Sequence, residues 1–444
     1  MRIIGSFVFI ASLVWGIEAL AQTSAPTLPF TSASIHLGVS SCAGSSCHGA
    51  LEPWPNSTVQ QNEFITWQEK DPHAKAYKTL MSEDSKRIAK NLGLPNAYGA
   101  DMCLDCHADN VPEDRRAKSF QISDGVGCES CHGGAVEWLG MHVSGKADHA
   151  MNVKAGLFPT DEPLAKAKLC LSCHLGDKDR VITHRIMGAG HPRLAFELDT
   201  YTMTQPAHFK MDADYAQRKG MTDHIKTWAL GQVVAIDSIT EAMLDPKRNQ
   251  DGIFPELMFF DCHSCHHPMS NVRWQARDGH GIGPGVPRLN DANMIMVAAL
   301  LDKADPALAQ QLRARTKALH QASLKGHEAT LTAVRDLREL TATLLTRLSA
   351  MTFNPSDMRG LMTAVIDRGL RGDYVDYAAA EQAAMALSSV MDAMKMAKLM
   401  SDTQHKELTG VLDQAYAAIE KDEAYNPKQF MTALQAFGAA LTRT

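Results

Sequence analysis

Ten cysteines fall into five close pairs, and the second cysteine of each pair is followed at once by histidine. The pairs are Cys42/Cys47, Cys103/Cys106, Cys128/Cys131, Cys170/Cys173 and Cys262/Cys265, and the histidines are His48, His107, His132, His174 and His266. Four pairs spell C-x-x-C-H. The first reads CAGSSCH, with four residues between its cysteines. C-x-x-C-H is the attachment pattern for c-type haem: two thiols add to the two vinyl groups as thioethers, and the adjacent histidine ligates the iron. Zinc would take cysteines in fours, or two with two histidines, and five repeats of Cys-His adjacency do not partition that way. Disulfides of the C-x-x-C type are redox-active and need no histidine. The pattern leaves no cysteine over for a disulfide. It implies five covalently attached haem c groups, the CAGSSCH motif included.

Beyond the motif histidine, each iron has one more axial position. A strong ligand there makes an electron-transfer centre, and an open position makes a candidate catalytic centre. The chain has 19 histidines, more than five haems need. His73 lies in DPHAKAY, where Asp71 suits an N-cap and Pro72 the first helical turn, so a candidate distal ligand opens a helix. His142 follows His132 by ten residues, and a short helix would carry it to a neighbouring haem. His184 and His191 lie in THRIMGAGHPRL, where Gly188 and Gly190 allow the backbone close to a flat macrocycle. His36 precedes the first motif by six residues and is a candidate for a haem other than its own. His149, His208, His224, His263 and His267 rank behind these. His263 and His267 flank His266 and suit neighbours of the ligand or partners of a propionate. His280, His320, His327 and His405 read as surface or packing residues. Arg115, Arg116, Arg180, Arg185 and Arg193 lie close to the motifs and are candidate partners for haem propionates.

Residues 1–21 read as a secretory signal peptide: Arg2, an uncharged run from Ile3 to Ile17, and cleavage after Ala21. The mature protein is therefore expected to be exported, periplasmic in a bacterium with two membranes. It should have no transmembrane segment, because no later stretch approaches the ~20 apolar residues a span needs. Lys and Arg total 44 against 50 Asp and Glu, a net charge of −6. That balance gives no basic footprint for nucleic acid.

The expected fold class is mainly α with much irregular loop: a multihaem cytochrome c domain over 22–285 wrapped around five haems, then an all-α bundle over 286–444. A helix is expected over 61–94 and another over 222–244, the latter burying Ile225, Trp228, Val233 and Ile236 on one side. The Gly/Pro-rich segment DGHGIGPGVPRLND marks the boundary. Beyond it, breaks at Asp305-Pro306, Asn354-Pro355, Asp373, Ser401-Asp402 and Asn426-Pro427 divide the chain into roughly six helices. These helices read as a bundle over the haem domain, or as a docking or oligomerisation module.

GVGCESCHGGA, CLSCHLGDKDRVITHRIMGAGHPRLAFELD and FFDCHSCHHPM resemble a family of periplasmic multihaem c-type cytochromes. These are related to the tetrahaem cytochrome of ammonia oxidisers that accepts electrons from hydroxylamine oxidoreductase. The wider superfamily includes hydroxylamine oxidoreductase and pentahaem nitrite reductase. The resemblance covers roughly residues 34–290. It implies haems stacked in alternating parallel and perpendicular pairs, attached at the ten cysteines with the five motif histidines proximal. It also matches His73 and His142 to distal-ligand positions. No motif here ends in C-x-x-C-K, which marks the catalytic haem of the nitrite reductase, and nothing identifies the tyrosine cross-link of the hydroxylamine enzyme. Catalytic residues are therefore not carried over.

The leading expectation is an electron carrier between redox protein partners, with acidic charge favouring a positively charged docking face. One alternative is an oxidoreductase acting on a small nitrogen or sulfur compound at a five-coordinate haem. Another is a structural or filament-forming cytochrome.

Overall fold

The computed structural model describes residues 26–267, 280–283 and 285–443. The signal-peptide reading of 1–21 lies outside the described residues. Among the described residues the chain forms twelve mostly short helices before residue 245. They are α1 (Glu63–Lys70), α2 (Ala76–Thr79), α3 (Glu83–Leu92), α4 (Asp101–His107), α5 (Cys128–His132), α6 (Leu139–Val143), α7 (His149–Lys154), α8 (Pro163–His174), α9 (His184–Gly188), α10 (Leu198–Thr204), α11 (Ala213–Lys219) and α12 (His224–Leu244). Seven longer ones follow: α13 (Ala292–Ala304), α14 (Pro306–Ser323), α15 (His327–Ala350), α16 (Pro355–Leu370), α17 (Tyr377–Met396), α18 (Asp402–Ala418) and α19 (Pro427–Leu441). Among the described residues there is no strand, only isolated bridges at His36–Arg116 and Phe260–Leu289. The fold is mainly α, as the sequence implies.

The helix starts follow the capping residues. Asp305, Asn354, Ser401 and Asn426 each accept a hydrogen bond from a backbone N–H in the first turn of α14, α16, α18 and α19. The expected single helix between Asp305 and Asn354 is two, because Gly326 adopts φ +105° and starts α15 afresh. The expected helix over 61–94 is also broken. Asp71 caps a 3-10 turn at Pro72–Lys75, and Ser82 caps α3.

α12 is the seam of the molecule. Sequence periodicity gives it one buried side, but every residue from Thr227 to Ile236 is buried. One face joins Trp228, Val233 and Ile236 to a large core built from α13 to α19, including Leu300, Leu337, Leu387 and Phe437. Another face packs Val234 and Ala235 against Ala167 and Leu171 of α8, which carries the fourth motif. Gly231 lets α10 approach, since a Cβ there would stand 2.7 Å from Leu198 Cβ. A buried amide chain crosses the same region: Asn293 donates to Gln232 (2.8 Å), and Gln232 donates to Gln382 (2.8 Å). Ahead of α12 the apolar clusters are small, the main one being Leu80, Ala89, Ala97, Leu104 and Ala108.

At its first residue α12 is tied to α10. His224 Nδ1 lies 2.9 Å from Asp199 Oδ1, both side chains buried. Burial pushes the imidazole down, but the hydrogen bond and charge of Asp199 outweigh it, and the His224 pKa rises above its ordinary 6.5. Burial likewise raises Asp199. A raised folded-state pKa contributes stability below the unfolded value and loses it as pH climbs through the folded one. His224→Gln should therefore lower the urea midpoint more at pH 5.5 than at pH 8.5. An equal loss at both pH values would exclude a charged His224.

Candidate haem sites

Three of the motifs end helices. In α4, α5 and α8 the C-x-x-C-H run is the last turn, so the two cysteines share a face at i and i+3 and the histidine follows at the C-terminus. The fifth motif is a 3-10 turn in which His266 N donates to Cys262 O at 2.7 Å. The first motif keeps the same closure despite its two extra residues, with His48 N donating to Cys42 O at 3.2 Å. The insertion loops out through a turn from Gly44 to Cys47. Gly49 permits the exit, since a Cβ there would meet Ala43 O at 2.0 Å.

None of the ten cysteines is joined in a disulfide. Read from sequence they form one uniform set of attachment sites, and the structure sets Cys265 apart. Cys265 is exposed, whereas the other nine are half-buried. The reason is local. The 3-10 turn of the fifth motif ends at Ser264, and Cys265 lies just past it at φ −124° and ψ −40°. Cys106, Cys131 and Cys173, the matching cysteines of the second, third and fourth motifs, each lie inside a helix that packs on the rest of the chain.

Each motif histidine faces one histidine from elsewhere in the chain. The ring centroids stand 6.0 Å apart for His48 and His142, 6.4 Å for His107 and His191, and 6.3 Å for His132 and His208. They are 5.8 Å apart for His174 and His73, and 6.1 Å for His266 and His184. Two imidazoles on opposite sides of one iron, with bonds of about 2.0 Å, place their centroids about 6 Å apart. The donor set and its spacing fit the cofactor that the motifs attach.

Local structure aims these rings. Asp71 caps the turn that carries His73 and also holds His73 Nδ1 at 2.8 Å. Glu63 holds His48 Nδ1 at 2.9 Å. Ala76 O meets His107 Nδ1 at 3.2 Å, and Pro192 O meets His191 Nδ1 at 2.8 Å. A partner on Nδ1 fixes the tautomer and leaves Nε2 as the lone pair for a metal. Glu256 accepts from the His184 backbone N–H at 2.9 Å and so docks α9 beside the fifth motif. Burial holds His132 down at about 3 and His174 at about 4. Burial also lowers His107, His142 and His208. Neutral imidazole is the form that ligates iron. His48 is raised by Glu63, and His73 by Asp71, each through a carboxylate on Nδ1.

Four of the five distal candidates from sequence therefore stand opposite a motif histidine: His73, His142, His184 and His191. His36 does not. Its backbone pairs with Arg115 and Ala117, and its ring is buried against Asp109, Nδ1 to Oδ2 at 2.8 Å. His208 takes the fifth place, from the loop between α10 and α11. His263 pairs with Asp422 and lies beside Tyr377 and Tyr425, between the fifth motif and the C-terminal helices.

The arginines divide. Arg180, Arg185 and Arg248 line a cavity of about 460 Å³ bounded by Met102 and by Asp105 and Cys106 of the second motif, within the ~300–1,000 Å³ range of cofactor sites. Arg115 and Arg116 donate to backbone carbonyls instead, and Arg193 pairs with Glu381 and Asp422.

Attachment motifs with a second histidine facing each motif histidine are the arrangement found in one class, the multihaem c-type cytochromes of electron transfer. The comparison with known families agrees. The family model described as cytochrome c554 and c-prime matches residues 41–133, which hold the first three motifs, and supports a multihaem c-type cytochrome that binds haem c covalently and has redox partners. No curated protein and no solved structure matches the chain. Among the described residues no helix is long and apolar enough to cross a membrane.

Proposed function

We propose that the chain is an exported electron carrier with five haems, each held between two histidines. The axial pairs are His48/His142, His107/His191, His132/His208, His174/His73 and His266/His184. The observation that carries this reading is the set of five histidine pairs at 5.8 to 6.4 Å. The exposed Cys265 is the second thioether of the fifth haem in this reading, with Cys262 the first. With every axial position filled by imidazole, no iron is left open for a substrate, and the electron-carrier reading outranks the oxidoreductase. The haem supplies a one-electron couple. The chain supplies spacing, ligand orientation and burial.

Contacts between motifs give an order. Cys42 meets Cys128, and Cys106 meets Cys173, while Cys131 lies near Cys170 and Cys173. α9 begins at His184, and its exit turn leads to His191, so the fifth and second haems are neighbours. The electron path therefore runs first, third, fourth, second, fifth. At its first-haem end Leu51 and Val143 are 81% and 64% exposed. The division at 285/286 belongs to this reading: the earlier part holds haems, and the later helices buttress the fifth-haem end through Asp422, Tyr377 and Arg193.

The test is haem count and spin state in the oxidised holoprotein. Pyridine haemochrome and intact mass should give five haems, and low-temperature EPR should show only low-spin iron. Ligand-plane angle adds detail, because near-parallel imidazoles split the iron π orbitals more than perpendicular ones do. The planes are 18° apart for His48/His142 and 30° for His184/His266, against 84° to 90° for the other three. Two rhombic signals and three strongly anisotropic ones are expected. A high-spin signal that shifts on adding nitrite or cyanide would transfer the lead to the oxidoreductase.

A further inference from the structure

A second cluster of ligating side chains lies outside the haem pairs. It draws on three separate places: His280 in the segment ahead of α13, Asp291 immediately before α13, and His320 in the last turn of α14. All three residues are buried, and their ligand atoms lie within 4.8 Å of one another. Both imidazoles direct Nε2 at the same oxygen, Asp291 Oδ2, at 2.6 Å from His280 and 3.2 Å from His320. The two rings stand 4.5 Å apart at 67°. Asp291 occupies the N-cap position of α13, where Asp usually accepts from the helix N–H groups. Here its side chain makes no such bond and turns to the histidines.

We infer that His280, Asp291 and His320 form a binding site for one zinc-class divalent ion, separate from the haem irons. Two imidazole nitrogens and one carboxylate oxygen are donors that zinc accepts. Calcium and magnesium require oxygen shells, and cuprous ion requires sulfur. Three protein ligands leave a fourth tetrahedral position for water. Bonds of about 2.0–2.1 Å put neighbouring donors about 3.3 Å apart. The His320 contact already has that spacing, and the His280 ring must retreat by some tenths of an ångström. The bound ion would act as a cross-link. It fastens His280 to the start of α13 and the end of α14. The inference does not depend on the number of haems or on their axial ligands.

The experiment uses the full-length, haem-loaded protein. It is stripped with EDTA, desalted, exposed to zinc chloride and desalted again. Zinc is counted by mass spectrometry of the elements against protein from amino-acid analysis. About one zinc per chain is expected for the natural sequence, and at least tenfold less for His320→Gln and Asp291→Asn. Zinc should also raise the melting temperature of the natural sequence, as any ligand that binds the folded state does. Fewer than about 0.1 zinc per chain in the natural sequence would overturn the site, as would undiminished zinc in both well-folded variants. Should the variants not fold, the zinc count and the zinc-dependent melting shift of the natural protein decide alone.

Discussion

Replacing His208 with alanine is expected to turn one haem in five from low spin to high spin. The ring stands opposite His132, and burial lowers its pKa. Its backbone lies in the loop after α10, with no other histidine in the segment to replace it. In the proposed pairing, loss of the imidazole leaves the third iron with His132 as its single protein ligand. Cyanide should then bind at that haem and not at the other four. Exchange of a strong nitrogen donor for water should also shift that haem's potential by roughly a tenth of a volt or more, a fraction of the ~0.8 V that axial ligands span. His36→Ala is the matched control. His36 pairs with Asp109 rather than facing a motif histidine, so all five haems should stay low spin. The reverse result, with His36→Ala producing the high-spin signal, would overturn the assignment. EPR and cyanide titration on the two variants decide it.

The second large effect is expected at Glu129, a residue inside the third motif that touches no iron in this reading. Its buried carboxylate accepts three backbone hydrogen bonds: from Leu37 N at 2.8 Å, Gly38 N at 2.6 Å and Ala135 N at 2.7 Å. Two of these donors lie more than ninety residues away in sequence. Glu129 thus clamps the segment ahead of the first motif onto the helix that ends at His132. Glu129→Ala leaves three backbone donors without their acceptor, at about 1–3 kcal/mol for each group that stays buried. A loss of about 3 kcal/mol or more is expected in urea unfolding of the holoprotein. Glu129→Gln, which keeps one acceptor oxygen, should lose less. Glu113→Ala, at an exposed position, should change stability by less than about 0.5 kcal/mol. A Glu129→Ala midpoint within error of the natural protein would refute the clamp.

What the sequence makes legible here is what local spacing decides. The attachment motifs and most bundle breaks rest on neighbours within a few residues, and Asp305, Asn354, Ser401 and Asn426 each start a helix. His73 can be singled out because Asp71 and Pro72 beside it announce a helix start. The place of His208 opposite His132 cannot be read in this way. No capping pair or glycine run marks it, and its opposition to His132 arises from the path of the whole chain between α10 and α11. His36 misleads for the complementary reason. Its distance from the first motif suits a ligand, but a backbone bridge to Arg116, more than seventy residues on, turns the ring toward Asp109. The exposure of Cys265 is likewise invisible in its motif, because CHSCH spells the same pattern whether a helix or a single 3-10 turn carries it. The buried cluster of His280, Asp291 and His320 is equally hidden, since His280 and His320, which read as surface or packing residues, meet at Asp291 only in the folded chain.

The position of α12 carries a consequence for how the protein is made. Its side chains complete a core whose other members lie in α13 to α19, so Trp228, Val233 and Ile236 cannot be fully covered until the last part of the chain has emerged. Thioether formation needs reduced thiols that a haem can still reach. In a chain delivered N-terminus first, the first four motifs precede the helix that closes the core, and the fifth is the last to arrive before the bundle. Ligation can thus run ahead of compaction. A chain ending near residue 285 would keep every attachment motif yet leave the bundle-facing side of α12 bare to water, with aggregation as its fate.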